Sequence, residues 1–364
     1  MLVFLFSVEK RPFLCCFGSS LMRQLTLFPP EITLKCGQLD GSSAGCISGP
    51  LPQDTPVIIS NGVGVDSVAL LIELQRLNIV PDAIVTALVG RDWFGNEHRR
   101  FYEYLPILEQ WLVDVGFPPI TYVWYKMKRK AKHFEYWSLA GNCLANRTLP
   151  SISFRRHHSC SLKYKGAEID RWVTARHGDR PCYRLVGYDL AEGYRAARFS
   201  TKTKRKGPRS GDVYVYPLQL LGLDRAGCKT VIEAAGLPSP GLSSCVFCAA
   251  MHPEEIDELH PEELWLIVIL EAHAQVNLKK IRGLWGHGER MTEYILRRRL
   301  LPATLVEAVW AKWSAPERPF ELRPNPEAAN PEPERKVADE VLFNEVTRLA
   351  ALSTVAFSSE NGRC

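Results

Sequence analysis

No stretch of this 364-residue sequence is apolar for long enough to cross a bilayer: the longest later run, 264–270, falls far short of the roughly 20 residues a spanning helix needs. Nor does either sign of charge dominate. Forty-five Lys+Arg against 40 Asp+Glu leave +5, which by itself selects no polyanionic partner. The chain has no internal repeat and no collagen-like period, and its 46% hydrophobic and 23% charged side chains exclude wholesale disorder and a small disulfide-stapled scaffold. Its length suits two or three domains of about 100–200 residues, or one large α/β unit with appendages. A secretory signal is also missing, because the apolar start 1–8 runs directly into Glu9, Lys10 and Arg11. The expected home is cytoplasmic and reducing, with no membrane association. There, the 11 cysteines read as thiols or metal ligands before they read as disulfides.

What is present is organised in blocks. Residues 1–54 lack a clear period, are rich in Gly, Ser, Pro and Cys, and read as an irregular extension; Met22 looks like a natural start, which makes 1–21 an expected start-site artefact. From Pro56 onward strands and helices alternate: a buried-type strand at 57–59, a helix at 67–77 with Leu70, Leu71, Leu74 and Leu77 at helical spacing, a strand at 83–89, a helix at 97–115 and a strand at 120–125. Further strands are expected at 183–186 and 214–218 and a helix at 229–235. Such alternation predicts an α/β fold with a mostly parallel five-stranded sheet covered on both faces. Beyond Cys248 the pattern is helical, at 254–274, 278–285 and 290–300. A proline-rich linker at 316–333 then precedes a terminal helix at 337–352 that packs back. Four blocks result: 1–54, 55–255, 256–315 and 316–364.

Charge is clustered locally. Arg195, Arg198, Lys202, Lys204, Arg205, Lys206 and Arg209 occupy 193–211 with no acid between Gly193 and Gly211, and Lys126, Lys128, Arg129, Lys130 and Lys132 form a second run. These are either solvated loops or contacts to phosphate or nucleic acid.

The most informative segment is Ser60-Asn61-Gly62-Val63-Gly64-Val65-Asp66-Ser67, which follows one strand and opens one helix. Glycines let the backbone turn tightly there, and helix N-terminal amides with the Ser60 and Ser67 hydroxyls make a cradle for phosphate oxygens. A plain turn capped by Asp66 or Ser67 is the bland alternative. The segment lacks the Gly-Lys-Ser/Thr ending of a Walker A loop and the glycine spacing of a dinucleotide fingerprint.

It resembles the PP-loop of the adenine nucleotide alpha-hydrolase superfamily, in its longer Ser-x-Gly-x-Gly-x-Asp-Ser form. Four further segments resemble, in order, the phosphoadenosine phosphosulfate (PAPS) reductase branch. Gly95-Asn96-Glu97-His98 is similar to Asp-Thr-Gly-x-Glu, with Asp92 displaced, and Arg156-His157-His158-Ser159-Cys160-Ser161-Leu162-Lys163 to Arg-x-Cys-Ser/Thr…Lys. Gly187, Glu192 and Arg195 match Gly-Ile-Arg-x-x-Glu-Ser-x-x-Arg. Gly236-Leu237-Pro238, leading to Cys245-Val246-Phe247-Cys248, looks like Gly-Ile-Pro…Cys-x-x-Cys-Pro. The likeness covers about 56–255. It departs at Val63, where glycine is usual, at Asp189, where arginine is usual, and at Ala249, where proline is common. The Glu-Cys-Gly-Leu-His tail bearing the reductases' nucleophilic cysteine is absent; Cys364 ends the sequence in Asn-Gly-Arg-Cys.

The resemblance implies a five-stranded PP-loop sheet and attack at the α-phosphate of ATP with pyrophosphate leaving, or handling of a related, adenylyl sulfate-type nucleotide. Ser60, Asn61, Gly62, Gly64, Asp66, Ser67, Glu97, Gly187 and Glu192 would bind the nucleotide, Asp66 or Glu97 its Mg2+, and Lys163 and Arg195 would act with Asp66 and Ser67 in catalysis. Activated adenylyl or sulfur would pass to an unidentified acceptor, with tRNA, DNA or a sulfur-donor protein as partners. Cys245-x-x-Cys248 has a spacing suited to a [4Fe-4S] cluster or Zn2+, with Cys160 as third ligand and Cys143, Cys182, His252 or a non-protein group as fourth. Buried packing thiols or a redox dithiol are the alternatives. His157 and His158 are expected to be ordinary loop histidines, and Trp93, Trp124, Trp137 and Trp265 core residues. A sulfonucleotide reductase and a metal-stabilised nucleic-acid-binding module without catalysis are the rival functions.

Overall fold

The computed structural model describes residues 54–90, 96–125, 134–151, 153, 159–196, 209, 211–241, 244–322 and 337–361. The irregular extension, the basic run 126–132, five of the seven cations in 193–211, Asp92, Trp93, Gly95, Arg156, His157, His158, Cys364 and most of the proline-rich segment lie outside the described residues.

Five strands, β1 Val57–Asn61, β2 Ala83–Leu88, β3 Ile120–Trp124, β4 Tyr183–Val186 and β5 Val213–Val215, form one sheet in the order β3-β2-β1-β4-β5. All its pairings are parallel. β1 is apolar on both faces. Ile59 turns toward α1 Val65–Arg76, α2 Arg99–Asp114 and, beyond β4, Cys228 and Ile232, whereas Ile58 joins Val85, Ile169 and Val173 on the opposite face. A strand with helices over both faces has no solvated side to mark with polar residues, hence its unbroken apolar run.

Between β3 and β4 lie two helices that sequence periodicity does not announce. They are α3 Leu139–Asn146 and α4 Ala167–His177, the latter entered through a π-helical turn at Leu162–Gly166. Beyond β5 come α5 Arg225–Ala234, α6 Pro261–Ala274, α7 Met291–Arg297, α8 Ala303–Ser314 and α9 Ala338–Asn361.

Several expected boundaries are corrected. Strand β5 stops at Val215 rather than 218, because Pro217 has no N–H for the ladder and instead opens a short helical turn. The expected helix 254–274 is split: Pro253–Ile256 is one turn, and α6 begins afresh at Pro261, a first helical position where a missing N–H costs nothing. No helix spans 278–285. Gly283 and Gly286 pair there as an isolated bridge, with Gly286 at φ +76°. The terminal helix runs to Asn361, well past 352.

α6 is apolar on every side from Leu264 to Leu270, and accordingly it is the buried centre of a second core. That core is shared with Tyr136, Leu139, Leu144 and Tyr164, so side chains from both sides of residue 255 interlock. Trp265 is fully buried in it, while Trp124 and Trp137 are half-buried. The start of α9 docks onto α3: one Asp339 carboxylate oxygen accepts from the Trp137 N–H at 2.6 Å and the other from the Ser138 hydroxyl, whose oxygen caps the Gly141 N–H at 2.9 Å.

His273 sits in the same core, with Nδ1 3.2 Å from the Trp313 carbonyl oxygen and Nε2 buried without a hydrogen-bond partner. Burial, helped by the nearby Arg147 charge, pulls its pKa down to about 4. The unfolded chain therefore binds this proton more readily than the folded one. Stability contributed by neutral His273 is complete above pH about 6.5 and is lost as pH falls toward 4, a change of about 3 kcal/mol. Urea unfolding at neutral pH and at pH about 4.5 should show a smaller acid-induced loss in His273→Phe than in the unaltered protein; equal losses would contradict this.

Candidate functional site

The candidate residues fall into three groups. The first lies where the strand order reverses, between β1 and β4, the position at which open parallel sheets leave a crevice outside their carboxyl ends. β1 leads through Gly62, Val63 and Gly64 into α1. Asn61 braces this turn: its Oδ1 accepts from the Val63 N–H at 3.1 Å and its Nδ2 donates to Thr86 Oγ1 at 3.0 Å. Both ends of the amide are thus spent on shaping the loop. Ser67 Oγ accepts from the Gly64 N–H and donates to the Gly64 carbonyl, each at 3.0 Å. Helix geometry leaves the first amides of α1 without intrahelical acceptors.

Val63 is buried and has φ +57°, a left-handed conformation that is strained for a β-branched residue. The position at which the sequence departs from the usual glycine is therefore one where glycine would be relaxed. Gly187, just beyond β4, closes the crevice from the other side. A Cβ there would lie 2.9 Å from the Asp66 carbonyl oxygen and 3.0 Å from the Ser67 nitrogen, so only glycine lets the two backbones approach this closely.

Three carboxylates and two guanidinium groups surround this mouth. Asp66 Oδ2 pairs with Arg225 at 2.6 Å, and Glu192 Oε1 with Arg195 at 2.6 Å. Asp189 accepts from the Glu192 N–H at 3.1 Å. Burial raises the Asp66 carboxyl above its ordinary value, opposed by Arg225 and reinforced by Asp189. Glu192 is raised in the same way by burial, against Arg195 and with Asp66 and Asp189. Sequence reasoning misses the cation that completes the first pair, Arg225. It lies 159 residues from Asp66, at the start of α5, and no local pattern links the two.

The second group is built around Glu97 and the cysteines. Residues 96–98 run antiparallel to 244–246, with the Val246 N–H on the Asn96 carbonyl at 3.1 Å and the His98 N–H on that of Ser244 at 3.2 Å. This brings the buried Glu97 carboxylate beside the cysteines. Lys165 Nζ lies 3.0 Å from Glu97 Oε1. Burial acts to lower the Lys165 pKa, but the Glu97 charge, aided by Cys245, outweighs it and favours the ammonium. Burial, with Glu97 adding to it, holds the Cys245 thiol well above its ordinary value, and burial also raises Cys248. Cys160, Cys245 and Cys248 border the same apolar core. Among the described residues, no group of three or more His, Cys, Asp or Glu side chains is arranged to hold a metal ion. Cys182 belongs to the core on the α4 face of the sheet, whereas Cys143 is buried in the core that the other three border and lines a cavity together with Cys160.

The third group surrounds Lys163, which makes no hydrogen bond or ion pair with the β1–α1 loop among the described residues. It borders a cavity of about 350 Å3 with Cys143, Ser151, Ser159 and Cys160. Ser60, Asn61, Gly62, Gly64, Asp66, Ser67, Gly187, Glu192 and Arg195 thus lie together at the β1/β4 switch point, and among the described residues Glu97, Cys160, Cys245, Cys248 and Lys163 share no hydrogen bond or ion pair with that loop. Of the seven cations in 193–211, the two that are described, Arg195 and Arg209, both pair with carboxylates of this chain. Among the described residues no helix is long and apolar enough to cross a membrane. A scan against protein-family models finds no match to the chain, and a search of curated proteins likewise finds none.

Proposed function

We propose that this chain is a nucleotide-dependent enzyme of the PP-loop kind, resembling PAPS reductases, that acts at the α-phosphate of ATP or a related adenylyl compound. An acceptor nucleophile forms a new bond to the α-phosphorus, the bond to the β-phosphate oxygen breaks, and pyrophosphate leaves with that oxygen and its electron pair. The observation that carries this reading is the glycine-bearing turn at the β1/β4 switch point, where helix geometry leaves the first amides of α1 without intrahelical acceptors and Gly187 packs against the backbone of Asp66 and Ser67. Amides fixed in this way stabilise charge on the departing pyrophosphate without having to reorganise.

Arg195 and Arg225 support the same reading. Arg225 is half-exposed and Arg195 somewhat less, while their carboxylate partners Asp66 and Glu192 are mostly buried. A phosphate group is a stronger bidentate partner than a carboxylate whose anion burial disfavours, so both guanidinium groups can pass from Glu192 and Asp66 to the nucleotide. Magnesium belongs to the incoming nucleotide, and no step runs through a metal or cluster at the cysteines. The acceptor, including tRNA, DNA or a sulfur-donor protein, follows from the resemblance alone.

Pyrophosphate release from ATP, and sulfate release from adenylyl sulfate, by the full chain, with and without Ser67→Ala, tests the proposal. Removing the hydroxyl that shapes the Gly64 turn is expected to lower kcat/KM at least about tenfold while leaving the melting temperature within a few degrees. Turnover unaffected by the substitution, or no nucleotide binding by the unaltered chain, refutes it.

A further inference from the structure

We infer that the cavity beside Lys163 is a second binding site, for a small anion carrying a carboxylate or a tetrahedral oxyanion. Leu139, Asn142 and Cys143, at i, i+3 and i+4 on α3, form one wall, with Thr148 to Ser151 beneath and Ser159 to Tyr164 opposite. Its volume of about 350 Å3 is at the small end of small-molecule sites.

Two observations point to negative charge in the occupant. Lys163 has no carboxylate partner among the described residues. Its ammonium lies 4.9 Å from the Tyr125 ring centre and 4.8 Å from that of Tyr164, with a long 3.4 Å contact to the Tyr164 hydroxyl. Aromatic faces orient a cation without neutralising it. Lys165, two positions on, shows the contrast, since Glu97 neutralises it.

The second observation concerns the hydroxyls. Ser151 and Ser159 are hydrogen-bonded to each other through their side-chain oxygens, and Ser151 Oγ also accepts from the Cys160 N–H at 3.0 Å. Whichever serine donates to the other, one hydroxyl hydrogen of the pair is left to donate. Lys163 and Ser159 are exposed, so an ammonium and a hydroxyl hydrogen stand at the solvent-facing rim of a cavity backed by Leu139, Leu149, Pro150 and the Tyr164 ring, and match an anionic headgroup on a small body. No residue of the β1–α1 loop lines this cavity, so the inference stands or falls independently of the nucleotide reading.

Calorimetric titration of the full chain with sodium sulfate and with sodium malonate, against sodium chloride at equal ionic strength, tests it. One sulfate or malonate is expected to bind per chain, and the preferred one identifies the headgroup. Lys163→Met should weaken binding at least about tenfold, as expected for loss of a charge-assisted bond. Leu149→Trp, which fills the cavity, should abolish binding while circular dichroism stays unchanged. Ser67→Ala should leave it intact. Absence of binding by either anion below about 10 mM, equal binding by Lys163→Met, or loss of binding in Ser67→Ala would each overturn the inference.

Discussion

Replacing Glu271 with alanine is expected to lower the unfolding free energy by about 3–5 kcal/mol, the range for removing one partner from a buried charged network. Glu271 is fully buried on α6, yet it is surrounded by donors. Its carboxylate accepts from the N–H groups of Leu284 at 2.7 Å, Met291 at 3.2 Å and Thr292 at 2.9 Å, and from the Thr292 hydroxyl at 2.7 Å. It thereby caps α7 from outside, where helix amides lack intrahelical acceptors, and it ties down the 278–290 connection. Burial raises its pKa, and these hydrogen bonds oppose that rise. A Cβ on Gly283 would lie within 2.3 Å of Oε1, which shows how closely the connection wraps the carboxylate. Glu271→Gln keeps the shape but turns an amide NH2 toward N–H donors, so part of the loss should remain. Urea unfolding followed by tryptophan fluorescence reads both variants, and a loss below about 1 kcal/mol for alanine would show that this network carries little.

Asp212→Asn is expected to cost a comparable amount, about 3–5 kcal/mol, at the opposite side of the molecule. One Asp212 oxygen accepts from the Cys182 N–H at 3.0 Å and from Arg209; the other accepts from Arg184 at 3.1 Å and from Arg209 Nε at 3.0 Å. Both Arg184 and Asp212 are buried, so the asparagine amide would take the carboxylate from Arg209, leave Arg184 with the half-exposed Asp170 at 3.0 Å, and present a donor to other donors. The exposed pair Arg297–Glu289 provides the scale: solvent screens it, and Glu289→Gln should change stability by under about 1 kcal/mol. Equal effects from the two substitutions would contradict burial as the cause of the difference.

The difference between what sequence reveals and what it conceals follows from range. β1, β2, β3 and β4 are each legible because a covered strand is a short apolar run, and the crevice loop is legible because turn, glycine and helix start all fall within Ser60 to Ser67. Strand order is not, since it depends on β4 returning past β2 and β3 to pair with β1. α3, with the sequence Leu-Ala-Gly-Asn-Cys-Leu-Ala-Asn, is built largely of small residues and has no polar face to mark its period. The partners of Asp66 and Glu97 are invisible for a simpler reason. Arg225 and Lys165 reach them across 159 and 68 residues, and an ion pair leaves no trace in local spacing. Lys163 stands in a motif that suggests a clamp on the nucleotide, while the cavity it borders is invisible to the sequence because residues from 139 to 164 line it.

The docking of Asp339 has a consequence for biosynthesis. As the polypeptide leaves the ribosome, Ser138 and Gly141 emerge some two hundred residues before the carboxylate that will seat against them. Until that late segment arrives, the Trp137 N–H and the Ser138 hydroxyl at the first turn of α3 lack their acceptor, so this contact closes long after the strands flanking it have been synthesised.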